Sequence, residues 1–346
     1  MRRAGIVTLF GEYNFGNRLQ NYAVQEVLKI HGLDVETIKY VGVYDDVPSM
    51  NTQKEKDRLN LFKEFNEHIK FADEIMYKEY EAPSKFDEIY DYIIMGSDQI
   101  WNFTFDKIFS DKAMGSFVPK HKRISLSASF GVSYLPEVGS AEYEICKENL
   151  NNMKAISVRE YAGEDIAKHF TKRDDIEVLI DPTMMLNKED WEAVMKRPKN
   201  LKTDRFILKS FLGNVSDKAW DELRRIAREN NCEIIDISDK MSPYYDVGPA
   251  EFLYLEKNAF LVATDSFHSC VFSILFSTPF VVFRRNDNVL ESMHSRIETL
   301  LDKFEMQNRI FVDEISEDIL SYDGAKAEKV LDEERQKANA FLERVL

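Results

Sequence analysis

The stretch FLVATDSFHSCVFSILFSTPFVVF, Phe260–Phe283, sets Asp265, Ser266 and His268 between a strand-like apolar run and an otherwise apolar helix. Asp265 or Ser266 is placed to cap that helix, and His268 falls in its first turn. The open N–H groups and the positive dipole end of such a turn suit an anion. An imidazole there can exchange protons near neutral pH. The competing reading is a histidine satisfied by capping contacts. Its position, at a strand end and a helix start, weakens that reading.

Three other stretches carry candidate chemistry. In AISVRE a buried-strand pattern ends at Arg159, whose guanidinium suits a phosphate or carboxylate through two parallel hydrogen bonds. The alternative there is an ion pair with Glu160 or another acid. In IIMGSDQIWN a strand runs into Ser97 and Asp98, followed by Gln99, Trp101 and Asn102. Amides and a carboxylate can bind sugar hydroxyls, and an indole can stack on a sugar ring. The structural alternative is a cap at Asp98 and a core Trp101. In FGEYNFGNRLQNYA, Asn14, Asn17 and Gln20 surround a βα turn, and the alternative is a tight turn with an Asn cap. The turn is not GxGxxG, and the next strand ends in Tyr40 rather than an acid, which disfavours a nicotinamide cofactor. Arg296 is a further cation that could face an anionic ligand.

The elements that must hold these groups alternate between strand and helix. Gly5–Phe10 reads as a strand, Asn17–Gly32 as a helix, and Val35–Tyr40 as a second strand, a unit that requires a parallel sheet. Residues 45–85 read as charged and mainly helical, without a clear sheet element. Strands return at YDYIIMG, RISLSAS, AISVRE and EVLIDPT, with a helix over Ala141–Met153. The basic, proline-bearing Lys196–Asp204 reads as a linker. The pattern then restarts with RFILKSF, a helix over Asp217–Asn230, EIIDIS, a helix over Pro249–Lys257, AFLVAT and PFVVFR. The expected architecture is therefore α/β, two doubly wound domains over 1–197 and 205–324, facing a cleft at the carboxyl ends of their strands. A helix over 325–346 has Val330, Leu331, Ala338, Phe341, Leu342 and Val345 on one face and packs across a domain.

With 346 residues and 44% hydrophobic side chains, the chain can fill two cores. No run reaches the roughly eighteen apolar residues of a membrane helix, and the apolar run near the start stops at Phe10, too short for a signal peptide. The expectation is a cytoplasmic protein, with a peripheral station at the inner membrane face left open. A net charge of −15 without a basic cluster disfavours nucleic acid and anionic membrane. Cys146, Cys232 and Cys270 are far apart, and the six histidines show no metal spacing.

Read together, YNFGNRLQNYAVQ, FDEIYDYIIMGSDQIWN, RISLSASFG, ISVREYAG, VLIDPTMML, ATDSFHSCVFSILFSTPF and SRIETLLDKF resemble the polysaccharide pyruvyl transferase family, in order and across nearly the whole chain. GSDQIWN with TDSFH is the most specific pairing. Ser269-Cys270 departs from the Gly-Thr usual in the family. The resemblance implies two Rossmann-like domains similar to the GT-B glycosyltransferases. It also implies transfer of a pyruvyl group from phosphoenolpyruvate to a sugar or lipid-linked oligosaccharide, closing a ketal across two hydroxyls. His268 would be the general acid/base, Arg159 the clamp on the donor's phosphate or carboxylate, and Asp98 a third member. Asn14, Asn17, Gln20, Ser97, Gln99, Trp101, Asn102, Asp265, Ser266 and Arg296 would line the substrates. The scheme needs neither cofactor nor metal. Oligomerisation stays open. So do two rival readings: a nucleotide-sugar glycosyltransferase on the same architecture, and a catalytically silent sugar-binding protein.

Overall fold

The computed structural model describes residues 1–11, 13–42, 51–285 and 295–346. It divides into two compact units. The first comprises Met1–Ser49, Asn66–Leu186 and Glu333–Leu346, the second Met50–Phe65 and Asn187–Asp332.

Among the described residues, the first unit holds a seven-stranded parallel sheet. Its strands are β1 (Arg3–Val7), β2 (Asp34–Val41), β3 (Phe71–Tyr77), β4 (Tyr92–Met95), β5 (Arg123–Ala128), β6 (Ala155–Val158) and β7 (Glu177–Val178), in the order β3-β2-β1-β4-β5-β6-β7. This is the doubly wound order, with its reversal between β1 and β4 and one extra strand at the edge. The central strands are buried along nearly all their length because helices cover both faces of a parallel sheet.

Strand β3 corrects the expectation of a mainly helical stretch over 45–85, of which 45–50 lies outside the described residues. The segment holds a helix, Gln53–Phe65, and then an edge strand. At the edge, β3 alternates buried Ala72 and Met76 with exposed Asp73, Ile75 and Tyr77, so its apolar signal is diluted by charge.

The second unit holds β8 (Phe206–Ser210), β9 (Glu233–Asp236), β10 (Leu261–Thr264) and β11 (Phe280–Val282), all parallel, in the order β11-β10-β8-β9. Here the direction of winding reverses between β8 and β10. Ile207, Leu223, Leu261, Ala263, Val281 and Phe283 form the heart of its apolar core.

The division falls between Leu186 and Asn187, ahead of the basic stretch Lys196–Asp204. Trp191 packs edge-on against Phe272 at 5.1 Å, and the Lys196 N–H donates to Ala250 O at 3.1 Å. These contacts hold the segment to the second unit. The early helix Gln53–Phe65 also belongs there. Arg58 Nη1 donates to the carbonyls of Ile237 at 3.0 Å and Tyr245 at 2.9 Å. The helix Ala325–Val345 runs through the boundary between Asp332 and Glu333, and Phe341 and Leu342 are fully buried in the first unit. No helix among the described residues is long and apolar enough to cross a membrane.

Candidate functional site

In the first unit the loops at the carboxyl ends of β1, β4, β5, β6 and β7 meet in one buried polar network. After β4 the chain turns sharply. Gly96 has φ +120°, and a Cβ there would lie 2.5 Å from Leu126 O, so only glycine fits. Asp98 follows at φ +60°. The turn is fastened from below: the Ser97 N–H donates to Gln20 Oε1 at 2.9 Å, Gln20 Nε2 to Thr8 Oγ1 at 2.7 Å, and Thr8 Oγ1 to Ser97 O at 3.0 Å. Ser97 Oγ lies 3.0 Å from Asp181 Oδ2 and 2.8 Å from Ser127 O.

Arg159 stands one residue past β6, its side chain 1% exposed. Nη1 donates to Asp181 Oδ2 at 2.6 Å, Nη2 donates to Asp98 Oδ1 at 3.1 Å, and Nε lies 3.9 Å from Glu160 Oε2. Burial pulls the guanidinium pKa down, but the carboxylates of Asp181, Asp98 and Glu160 outweigh it and hold the pKa above its ordinary value. Asn17 Nδ2 donates to the other oxygen of Asp98. Glu160 in turn accepts from Ser129 Oγ at 2.9 Å and from the Phe130 N–H at 3.0 Å.

This geometry corrects the role expected of Arg159. Both Nη groups hold internal carboxylates, and three acids surround one base, so the guanidinium is a counter-charge rather than a clamp displayed to an anion. It positions Asp98. Trp101 is also corrected: the indole is fully buried, tilted against Phe130 at 5.3 Å, and donates Nε1–H to Ala113 O at 3.2 Å. It is core, not a sugar platform. Asn102 shapes its own loop, donating to Gln99 Oε1 at 2.9 Å and accepting from Thr104 N at 3.0 Å. Asn14 is exposed and caps the helix Phe15–Ile30, accepting from the Asn17 N–H at 3.1 Å. The network thus gathers Asp98, Arg159, Asn17, Gln20 and Ser97, and leaves Asn14, Gln99, Trp101 and Asn102 in local structural roles.

Asp181 was not anticipated as a site residue. Its signal was present in Asp-Pro-Thr: Asp181 caps the short helix Pro182–Met185, accepting from the Thr183 N–H at 3.0 Å, with proline at the first helical position.

In the second unit the expected turn lies at the carboxyl edge of β10. Thr264 Oγ1 donates to Ser210 O at 2.8 Å, tying the ends of β10 and β8, and accepts from the Ser266 N–H at 2.9 Å. The Asp265 side chain is fully buried. It accepts from Leu212 N at 2.7 Å, Gly213 N at 2.9 Å and Arg285 Nε at 2.7 Å. Asp265 therefore ties the ends of three strands together instead of lining a substrate. Ser266 occupies the N-cap of the helix Phe267–Phe276 without a side-chain capping bond. His268 lies in the first turn, 7% exposed, edge-on to Phe267 at 5.3 Å. Arg296 is 8% exposed on the first turn of the helix Ser295–Lys303, which packs on the His268 helix.

One buried acid behind His268 escaped the sequence reading. Glu256, on the helix Pro249–Asn258, is fully buried; Ser269 Oγ donates to one of its oxygens and Ser273 Oγ to the other at 3.3 Å. Burial pushes its pKa up to about 8, against the smaller downward pull of the two hydroxyls. Ser269, where the chain departs from Gly-Thr, is thus a partner of Glu256. Among the described residues, no group of three or more His, Cys, Asp or Glu side chains is arranged to hold a metal ion.

Comparison with known proteins follows the same lines. No curated protein matches the chain. Among solved structures, a protein described as a UDP-N-acetylglucosamine 2-epimerase of Listeria monocytogenes superposes with a TM-score of 0.53 at 11% identity, over 98% of this chain and 90% of that one. UDP-GlcNAc 2-epimerase of Neisseria meningitidis gives 0.48 at 11% identity, over 97% and 100%. MurG of Acinetobacter baumannii gives 0.42 at 12% identity, over 100% and 98%. The likeness shows a parallel-sheet α/β fold of the GT-B kind. The family description "Polysaccharide pyruvyl transferase" matches residues 14–288, which include the first unit's network from Asn17 to Asp181 and the second unit's loops up to Arg285. By that match the chain belongs to the polysaccharide pyruvyl transferase family.

Proposed function

We propose that the protein transfers a pyruvyl group from phosphoenolpyruvate to two hydroxyls of a polysaccharide sugar, giving a cyclic ketal and inorganic phosphate. The observation that carries this reading is the placement of His268. It is a nearly buried imidazole in the first turn of an apolar helix, at the strand reversal of the second unit.

In the proposed reaction a proton is added to the methylene carbon of the enol, and a sugar oxygen bonds to C2 of the resulting oxocarbenium-like centre. A second sugar oxygen then displaces phosphate by breaking the C2–O bond. Of the two hydroxyl protons, one balances the new methyl group and the other leaves with phosphate. His268 is the group assigned to move the proton. Asp98, held by Arg159 and Asn17, is a carboxylate suited to receive a further hydrogen bond from a hydroxyl. An anionic donor is assigned to the second unit, because the first unit's cluster carries more acid than base.

His268→Gln tests the reading. Gln fits a first helical turn at little cost, so melting temperature and donor affinity should change little. Turnover, followed as ketal-bearing product by mass spectrometry, should fall on the order of a hundredfold or more. A folded His268→Gln protein with full turnover would overturn the assignment.

A further inference from the structure

The first unit's guanidinium is enclosed by acids, so the cation that meets an anionic donor must be sought elsewhere. A second guanidinium, that of Arg285, stands just beyond β11. Its Nε donates to Asp265 Oδ2 at 2.7 Å and its Nη2 to Asp265 O at 3.1 Å. This side-on grip uses one edge of the guanidinium. Among the described residues, Nη1 has no partner. The side chain is 12% exposed.

Two features fix that pose. The Arg285 shaft runs across Gly213, where an added Cβ would fall 2.8 Å from Arg285 Cδ. Asp265, the anchor, is itself held by the N–H groups of Leu212 and Gly213. The carboxylate's charge is thereby shared among three donor groups rather than consumed by the arginine alone. Asp265 precedes His268 by three residues, so the guanidinium is bonded to the very segment that starts the histidine's helix.

We propose that Arg285 is an oxyanion-binding residue of the second unit, presenting its Nη edge to the phosphate or carboxylate of the donor. The donor identity rests on the pyruvyl-transfer reading, whereas the oxyanion site itself does not. A guanidinium pre-set by a carboxylate on one edge offers directed, charge-assisted hydrogen bonds on the other.

The experiment is calorimetric titration of phosphoenolpyruvate, inorganic phosphate and pyruvate into the wild type, Arg285→Gln, Gly213→Ala and the exposed neighbour Arg284→Gln. Arg285→Gln leaves Asp265 with two backbone donors, so the fold should persist, as melting temperature will show. Phosphoenolpyruvate affinity should fall at least about tenfold in Arg285→Gln. It should fall less in Gly213→Ala, which keeps the arginine but displaces its shaft, and stay unchanged in Arg284→Gln. Loss confined to phosphate, or to pyruvate, identifies the oxyanion held. If the wild type binds inorganic phosphate through Arg285 but not phosphoenolpyruvate, the oxyanion site stands and the donor reading falls. Wild-type affinity retained in both Arg285→Gln and Gly213→Ala overturns the proposal, as does a wild type that binds none of the three. Should Arg285→Gln fail to fold, Gly213→Ala decides alone.

Discussion

At the carboxyl edge of the seven-stranded sheet, one guanidinium meets Asp98, Asp181 and Glu160. At the carboxyl edge of the four-stranded sheet, one guanidinium meets, among the described residues, Asp265 alone, and two backbone N–H groups share the load. The residue types are the same and the electrostatic outcome differs. In the first unit the charges close on one another and fix a turn. In the second, an acid organises strand ends and, among the described residues, leaves one edge of the guanidinium unbonded, with a nearly buried imidazole three residues further on. A buried arginine is therefore not by itself an anion site; how many acids it neutralises decides what it can offer.

The comparison breaks first at Arg159. Arg159→Ala leaves Asp98, Asp181 and Glu160 buried without their counter-charge, and should cost about 3–5 kcal/mol of stability. Equilibrium unfolding in denaturant will read it. A loss below about 1 kcal/mol would mean that the cluster is not the closed ion network described here.

Glu256 sharpens the contrast, since it is a buried acid answered, among the described residues, by hydroxyls and no cation. Its pKa is about 8 in the fold against an ordinary 4.5. The folded state thus holds the proton more tightly, and the stability it contributes is full below about pH 4.5 and lost as pH rises through 8. The wild type should lose on the order of a few kcal/mol relative to Glu256→Gln across that window. Unfolding free energies of the two proteins at a series of pH values check this. Parallel profiles would show that the carboxyl ionises freely where it stands.

The smallest effect belongs to Ser266. Its side chain makes no capping bond, so Ser266→Ala should change stability by less than about half a kcal/mol, where a bonded cap costs about 1 kcal/mol. A larger loss in thermal unfolding would assign the hydroxyl a structural partner.

Much of this arrangement was legible in the sequence. Period and turn residues located β1, β2, β4 to β7 and the strands of the second unit. The GSD and TDSFH turns fell at carboxyl edges as strand–helix alternation requires. What failed was partner choice. Trp101 sits in a polar stretch, yet a tertiary wall of Phe130 and Ala113 takes up its face and its N–H. Glu256 follows the pattern of a surface charge, and only the approach of Ser269 and Ser273 from another helix shows it to be interior. Strand β3 and the allegiance of Gln53–Phe65 depend on neighbours distant in sequence, which local periodicity does not encode.

That allegiance bears on how the protein is made. Arg58 and its partner Ile237 are 179 positions apart. At a synthesis rate of roughly 5–20 residues per second, the Arg58 helix waits about 10–40 s at the ribosome before its docking carbonyl exists. Through that interval the apolar side chains of Leu59, Phe62 and Phe65, which end up buried, have no cognate surface. The first-translated unit thus carries a segment it cannot house until the second unit is made.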